Sequence, residues 1–147
     1  MKKFGLLVVI VPCLLAGAGL AAGMADAVKA RHDNFHKLGG DFKAIADQLK
    51  ADAPDLAVIK AKASDAKTLS GTMASWFPAG SGPESGEKTE AKAEIWSDAA
   101  GFAAKRVAFQ AEVIKLAAAS DLDAIKAQFK ATGEACKACH TSFRERK

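Results

Sequence analysis

Three side chains with nucleophilic and metal-binding chemistry stand close together near the C-terminus, at Cys136, Cys139 and His140. Two thiols three residues apart, with an imidazole directly after the second, form the Cys-x-x-Cys-His spacing that attaches a c-type haem. On a helix with 3.6 residues per turn, the three side chains fall within an arc of about 100°. The thiols can therefore add to the two haem vinyl groups while His140 reaches the iron from one face.

The same two thiols have two alternative uses. With His32 and His36, one helical turn apart, they could form a Cys2His2 zinc site, but that site would leave His140 without a role. A thiol–disulfide redox pair is the second alternative. Such a pair usually opens a helix, where the dipole lowers the thiol pKa, whereas this motif closes one. The sequence favours haem and leaves both alternatives open.

The N-terminus has the layout of a secretory signal peptide. Lys2 and Lys3 precede an apolar run, which a zone of small residues follows, and we place the segment at residues 1–23. An uncleaved membrane anchor is disfavoured, because glycine and proline interrupt a short apolar core. Removal of the segment lowers the formal charge from +4 to +2 and takes Cys13 with it. The mature chain, residues 24–147, would then be periplasmic, free of the membrane and without a basic patch for nucleic acid.

Four segments of the mature chain carry apolar residues at helical spacing. They cover about residues 26–51, 54–75, 89–119 and 121–143, with Thr89 and Ser120 as the expected N-caps of the last two. The one long link, residues 77–88, is rich in glycine, proline and serine. Two short links and one long link predict an all-α fold, an antiparallel up-down-up-down four-helix bundle. Because both motif cysteines lie on the apolar stripe of the last helix, the covalently bound haem must lie partly inside the bundle.

Two positions on the first helix bear on how such a haem is held. Arg31 interrupts the apolar stripe, and a buried guanidinium needs a partner such as a haem propionate. A snorkelling arginine at the edge of the bundle is the alternative. Phe35 follows one turn later, and its side chain cannot ligate iron; as a pattern alone it is an ordinary core residue.

The chain from about residue 25 to 147 resembles cytochrome c′, the class II c-type cytochromes. The Cys-x-x-Cys-His motif, an arginine four residues before the distal position, and a basic residue four after the haem histidine all match. So do a Trp-Phe-Pro-x-Gly-x-Gly loop that begins at Trp76 and the run Glu-Ile-Trp-Ser-Asp-Ala-Ala that begins at Glu94.

The resemblance implies a role for each matching position. Cys136 and Cys139 form the thioethers, and His140 is the iron ligand. Further haem contacts are implied for Arg31 at a propionate, His32 at the same haem edge, Phe35 over the distal face, Glu90 at the start of the third helix, and Arg144 over the proximal pocket. On an ideal helix Arg144 lies one turn from His140, so geometry agrees with the resemblance.

The expected function follows from the sixth iron position. With phenylalanine at position 35, the resemblance implies a five-coordinate, high-spin iron, with one haem c per chain. Such proteins bind nitric oxide and carbon monoxide and are thought to buffer nitric oxide; electron transfer with redox partner proteins and a homodimer are also expected. The alternative is a hexacoordinate, low-spin electron carrier that uses His32 or Met73. Catalysis is not expected, because no general acid is evident beside the distal position.

Overall fold

The computed structural model describes residues 16–146, with side chains from residue 23. Its α-helices are α1 (Ala16–Lys50), α2 (Leu56–Gly71), α3 (Glu94–Ser97), α4 (Ala99–Ala118) and α5 (Leu122–Phe143). Short 3₁₀ turns cover Met73–Trp76 and Pro83–Ser85. The first fifteen residues of the expected signal peptide lie outside the described residues. No helix in the described part of the chain combines the length and apolar character needed to cross a membrane.

The long helices make up the predicted all-α four-helix bundle, in which α3 and α4 together supply the third member. Close backbone contact joins α1 with α2, α2 with α4, and α4 with α5. Within residues 16–146, α1 and α5 are not among the helix pairs with substantial backbone contact. They meet through side chains instead, such as Phe42 and Phe129, whose ring centroids lie 6.2 Å apart. The wider spacing of α1 and α5 suits a planar group held between them.

Two helix starts differ from the sequence prediction. Thr89 does not begin a helix, and Ser120 does not cap one. Asp121 is the N-cap of α5, and its carboxylate accepts a hydrogen bond from the Ala124 amide at 2.9 Å. A carboxylate at this position satisfies an otherwise unpaired amide and also complements the positive end of the helix dipole.

The predicted third helix is interrupted at Asp98. Its backbone leaves the helical region, at φ −116° and ψ 57°, and separates α3 from α4. The Asp98 carboxylate then accepts from the Gly101 amide at 3.0 Å, so that it caps α4. An apolar stripe does not reveal this break, because α3 and α4 each bury apolar residues of the stripe, such as Ile95 and Phe109.

The core consists of two adjoining clusters. One joins α1, α2, the first 3₁₀ turn and α4 through Leu38, Ala66, Met73, Trp76, Phe109 and Val113. The other lies towards the end of the bundle where α5 begins and contains Ile45, Ile59, Ala63, Leu116 and Ile125. Full burial of each large aliphatic side chain contributes about 1.5–3 kcal/mol. The first cluster is important for function, because Phe35 and Cys136 both pack against it.

Candidate haem site

The two motif cysteines lie in the second half of α5 as half-buried free thiols. Burial, and to a lesser extent the neighbouring Cys139, raises the pKa of the Cys136 thiol to about 11. Burial also raises the pKa of Cys139, although Lys105 opposes that shift. Both thiols are therefore protonated at neutral pH. A reactive redox pair needs the opposite shift, towards the thiolate, so the structure disfavours that alternative.

A cleft of about 580 Å³ opens beside the motif. This volume lies within the range of about 300–1,000 Å³ that is usual for small-molecule and cofactor sites. Its walls come from α5, from Glu90, and from the segment after α5: Glu90, Gly133, Cys136, Lys137, His140, Thr141, Arg144, Glu145 and Arg146. The cleft therefore lies on the side of α5 that carries His140.

His140 stands in the last turn of α5, exposed towards the cleft. Partial desolvation lowers the pKa of its imidazole, the Arg144 cation lowers it further, and Glu90 opposes the shift. The imidazole is therefore neutral at neutral pH. A neutral ring nitrogen is the form that binds a metal ion.

Glu90 and Arg144, which both line this cleft, form an ion pair. Arg144 Nε and one terminal nitrogen of its guanidinium lie 2.7 and 2.6 Å from the same carboxylate oxygen. The backbone supports the pair, because Lys92 N donates to Phe143 O at 3.1 Å and Glu145 N donates to Glu90 O at 2.8 Å. Sequence reasoning placed both residues near the haem but did not predict their contact with each other.

Arg31 is buried, with 4% of its surface exposed, and contacts the long loop. Its guanidinium donates to Ser81 Oγ at 3.0 Å, to Ser81 O at 2.8 Å and to Thr89 Oγ1 at 2.9 Å. The carbon atom of the guanidinium also lies 5.0 Å from the centre of the Phe77 ring. Arg31 is thus not a snorkelling surface residue, and it anchors the loop to α1. Its contact with a haem propionate stays a prediction.

Phe35 is half-buried one turn after Arg31. Its ring makes edge contacts with Trp76, at a centroid distance of 5.1 Å, and with Phe77, at 6.2 Å. These rings belong to, or pack against, the same core cluster as Cys136. The structure therefore brings the predicted distal residue and the first motif cysteine to one region of the bundle.

A statistical model of the family Cytochrome C′ matches residues 26–144. The chain belongs to the cytochrome c′ family.

Relatives and solved structures of this family match nearly their whole length. A cytochrome c′ of Alcaligenes xylosoxydans xylosoxydans is 42% identical over 83% of this chain and 95% of its own. That of Cereibacter sphaeroides is 37% identical over 92% and 96%. A nitric oxide complex of a cytochrome c′ variant from Alcaligenes xylosoxidans superposes with a TM-score of 0.75 at 39% identity, covering 84% of this chain and 97% of that one. A carbon monoxide-bound variant of the same protein has the same TM-score, identity and coverage.

Membership of the cytochrome c′ family makes covalently bound haem c the cofactor. The residues present fit it: two thiols on one helix turn, a neutral imidazole directly after them, and a cleft of about 580 Å³ beside them. Cys136 and Cys139 would hold the vinyl groups, and His140 would hold the iron. When bound, the haem supplies an iron centre that takes up small ligands and electrons.

The other sixth-ligand and zinc candidates lie elsewhere in this cytochrome c′ fold. His32 is exposed, and its imidazole faces that of His36. Met73 is buried in the core cluster beside Trp76. Between residues 16 and 146, no group of three or more histidine, cysteine, aspartate or glutamate side chains is arranged to hold a metal ion. The proposed Cys2His2 zinc site is therefore not formed.

Sequence reasoning missed two features of the site. Gly133 lines the cleft two turns before His140, and a Cβ atom added there would meet nothing within 4 Å. Because Gly133 has no side chain, it leaves this part of the cleft open. In the sequence, the indication was a glycine inside a helix, which lowers helix stability by about 1 kcal/mol relative to alanine. Ser81, fully buried under Arg31, was the second, and no local pattern in the sequence indicates its role.

Proposed function

We propose that this chain is a periplasmic member of the cytochrome c′ family with a five-coordinate, high-spin iron that binds nitric oxide and carbon monoxide. The observation that carries the proposal is the placement of Phe35, a side chain without a ligating atom, against the cluster that also packs on Cys136. On this proposal the protein buffers nitric oxide or transfers electrons and is not an enzyme.

The distal side of the proposed site is formed by aromatic rings. Phe35 is held by edge contacts with the Trp76 and Phe77 rings, so it is restrained without being locked in the core. A ligand that arrives from this side has to displace the Phe35 ring. Small neutral gases meet this condition more easily than water or anions, because an apolar pocket offers no hydrogen bond to offset their desolvation.

The proximal side is polar and open. His140 and the Glu90–Arg144 ion pair line the same cleft. On this proposal the neutral imidazole would provide the ligand to iron, and the Arg144 guanidinium is a positive charge beside it. We propose that Arg144 governs ligand exchange on this face, and that Glu90 positions Arg144 for that task. Haem contacts of Arg31 and His32 belong to the same proposal.

The cellular setting rests on the sequence. A signal peptide over residues 1–23 would export the chain to the periplasm, where c-type haem attachment and encounters with redox partner proteins take place. A homodimer is proposed from the family resemblance, with α1 and α2 as the contributing helices. Sedimentation equilibrium of the purified protein tests the dimer, and N-terminal sequencing of the exported chain tests the cleavage site.

Absorption spectra of the ferric, ferrous, and ferrous plus nitric oxide forms test the central claim. A high-spin charge-transfer band in the ferric form, and a large spectral change on addition of gas, are expected. A low-spin spectrum that gas does not change would instead support a hexacoordinate electron carrier with His32 or Met73 as the sixth ligand. That result would contradict five-coordinate iron.

A further inference from the structure

Helix α1 carries a pair of exposed histidines, of which only His32 is proposed to lie at the haem edge. His32 and His36 are both exposed, and their Nε2 atoms lie only 3.1 Å apart. Their ring centroids are 4.3 Å apart, with the planes tilted by 56°. The spacing of four residues places both rings on one face of the helix. The two Nε2 atoms therefore lie within hydrogen-bond distance of each other on an exposed face of the helix.

We propose that His32 and His36 form a chelating site for a divalent transition-metal ion, with Cu²⁺ bound most tightly. Imidazole nitrogens bind zinc at about 2.0–2.1 Å. Two nitrogens 3.1 Å apart at that distance subtend an angle of about 95–102° at the ion. This value lies between the angles of octahedral and tetrahedral coordination. The distance between the two nitrogens is therefore compatible with both of them binding one ion.

At His32, a neighbouring carboxylate favours the required tautomer. Each imidazole must offer the lone pair of Nε2, so its proton must reside on Nδ1. The carboxylate of Asp33 lies 3.9 Å from His32 Nδ1 and favours a proton at that atom. Asp33 also pairs with Lys29 at 2.6 Å, which holds the carboxylate in place. Carboxylates beside the second ring nitrogen commonly orient histidine ligands in this way.

The choice of ion follows from the ligands. Imidazole suits copper, nickel and zinc, whereas magnesium and calcium prefer oxygen ligands. For a fixed site, affinity rises from nickel to copper and falls again to zinc. No third protein ligand accompanies the pair among residues 16–146, so water completes the coordination sphere and leaves positions open to exchange.

Calorimetric titration of the ferric, haem-loaded protein with CuCl₂ in a non-chelating buffer tests the site. Both motif thiols are then thioethers and cannot compete for the ion. We expect one Cu²⁺ per chain with a dissociation constant below about 100 μM, weaker binding of Ni²⁺ and no binding of Mg²⁺. The variant His36→Gln should bind Cu²⁺ at least tenfold more weakly.

The matched control moves one histidine without changing their number. In the double variant His36→Gln/Lys37→His, the two imidazoles lie five residues apart, about 140° apart around the helix. It should bind Cu²⁺ as weakly as His36→Gln, and an unchanged ferric spectrum verifies that both variants fold. Binding by the double variant within threefold of the wild type, or equal binding of Mg²⁺, would overturn the chelate. Neither outcome bears on gas binding, because the spectra above test that function independently.

Discussion

Replacing Phe35 with alanine tests whether this ring covers the iron. The barrier that Phe35 adds can be worked out from its two edge contacts, with Trp76 at 5.1 Å and Phe77 at 6.2 Å. Each aromatic pair contributes about 0.5–1.5 kcal/mol beyond burial. If a distal ligand must break both ring contacts, removing the Phe35 ring lowers the activation barrier for ligand association by about 1–3 kcal/mol. Because each 1.36 kcal/mol corresponds to a factor of ten, we expect carbon monoxide association to be about 5- to 150-fold faster.

The assay is stopped-flow mixing of the ferrous protein with carbon monoxide at several concentrations. The slope of the observed rate against carbon monoxide concentration gives the association rate constant for the wild type and for Phe35→Ala. Carbon monoxide suits this test because it isolates association from any redox reaction.

Phe42→Ala is the matched control on the same helix. Phe42 also makes two ring contacts, with Phe109 and Phe129, each at a centroid distance of 6.2 Å. Removing the Phe42 ring loses a similar number of ring contacts. Because Phe42 is not proposed to cover the iron, the rate of carbon monoxide association should stay within about twofold of the wild type. Equal rates for the wild type and Phe35→Ala would refute distal cover by Phe35. Equal acceleration by both variants would show that general loosening of the bundle, and not removal of a cover, admits the gas.

Three further predictions concern the polar groups of the site. Replacing Ser81 with alanine removes a buried hydrogen bond to Arg31 and should lower the free energy of unfolding by about 1.5–3 kcal/mol in urea titrations. In a double-mutant cycle with Arg31→Met, the losses of the two single variants should not add. Full additivity would mean that the contact between the two side chains contributes nothing. Replacing Glu90 with glutamine breaks a partly exposed ion pair with Arg144, so the free energy of unfolding should fall by at most about 1 kcal/mol. In 1 M salt this difference should largely disappear, and a larger, salt-independent loss would contradict a surface pair. In the haem-free chain, burial raises the pKa of the Cys136 thiol to about 11, from 9.0 for an ordinary thiol, so the folded state holds this proton to higher pH. The stability that this provides is present below pH 9 and is lost as pH rises towards 11. The measurement is a pH series of urea midpoints for the wild type and Cys136→Ala. If the midpoint of Cys136→Ala falls with pH as steeply as that of the wild type, another group is responsible.

Local patterns were sufficient for much of the fold and for the attachment site. Apolar residues at helical spacing predicted the members of the bundle, because burial of one stripe requires the same period wherever the helix packs. Ile45, Ile59, Val113 and Ile125, which lie one in each of the four predicted helical segments, are at most 1% exposed. The break at Asp98 and the cap at Asp121 were missed, because competing polar residues nearby satisfy the same local rules.

The sequence by itself determined which chemistry is available: two thiols and an imidazole on one helix turn, an arginine where an apolar residue was expected, and a phenylalanine one turn later. Only the tertiary structure decided which groups meet. Ser81 lies 50 residues from Arg31, and Glu90 lies 54 residues from Arg144. Contacts across such separations depend on how the helices and the long loop pack, and no periodicity along the chain records them. The distance of 3.1 Å between the Nε2 atoms of His32 and His36 likewise follows from side-chain orientation, which their spacing in the sequence permits but does not impose.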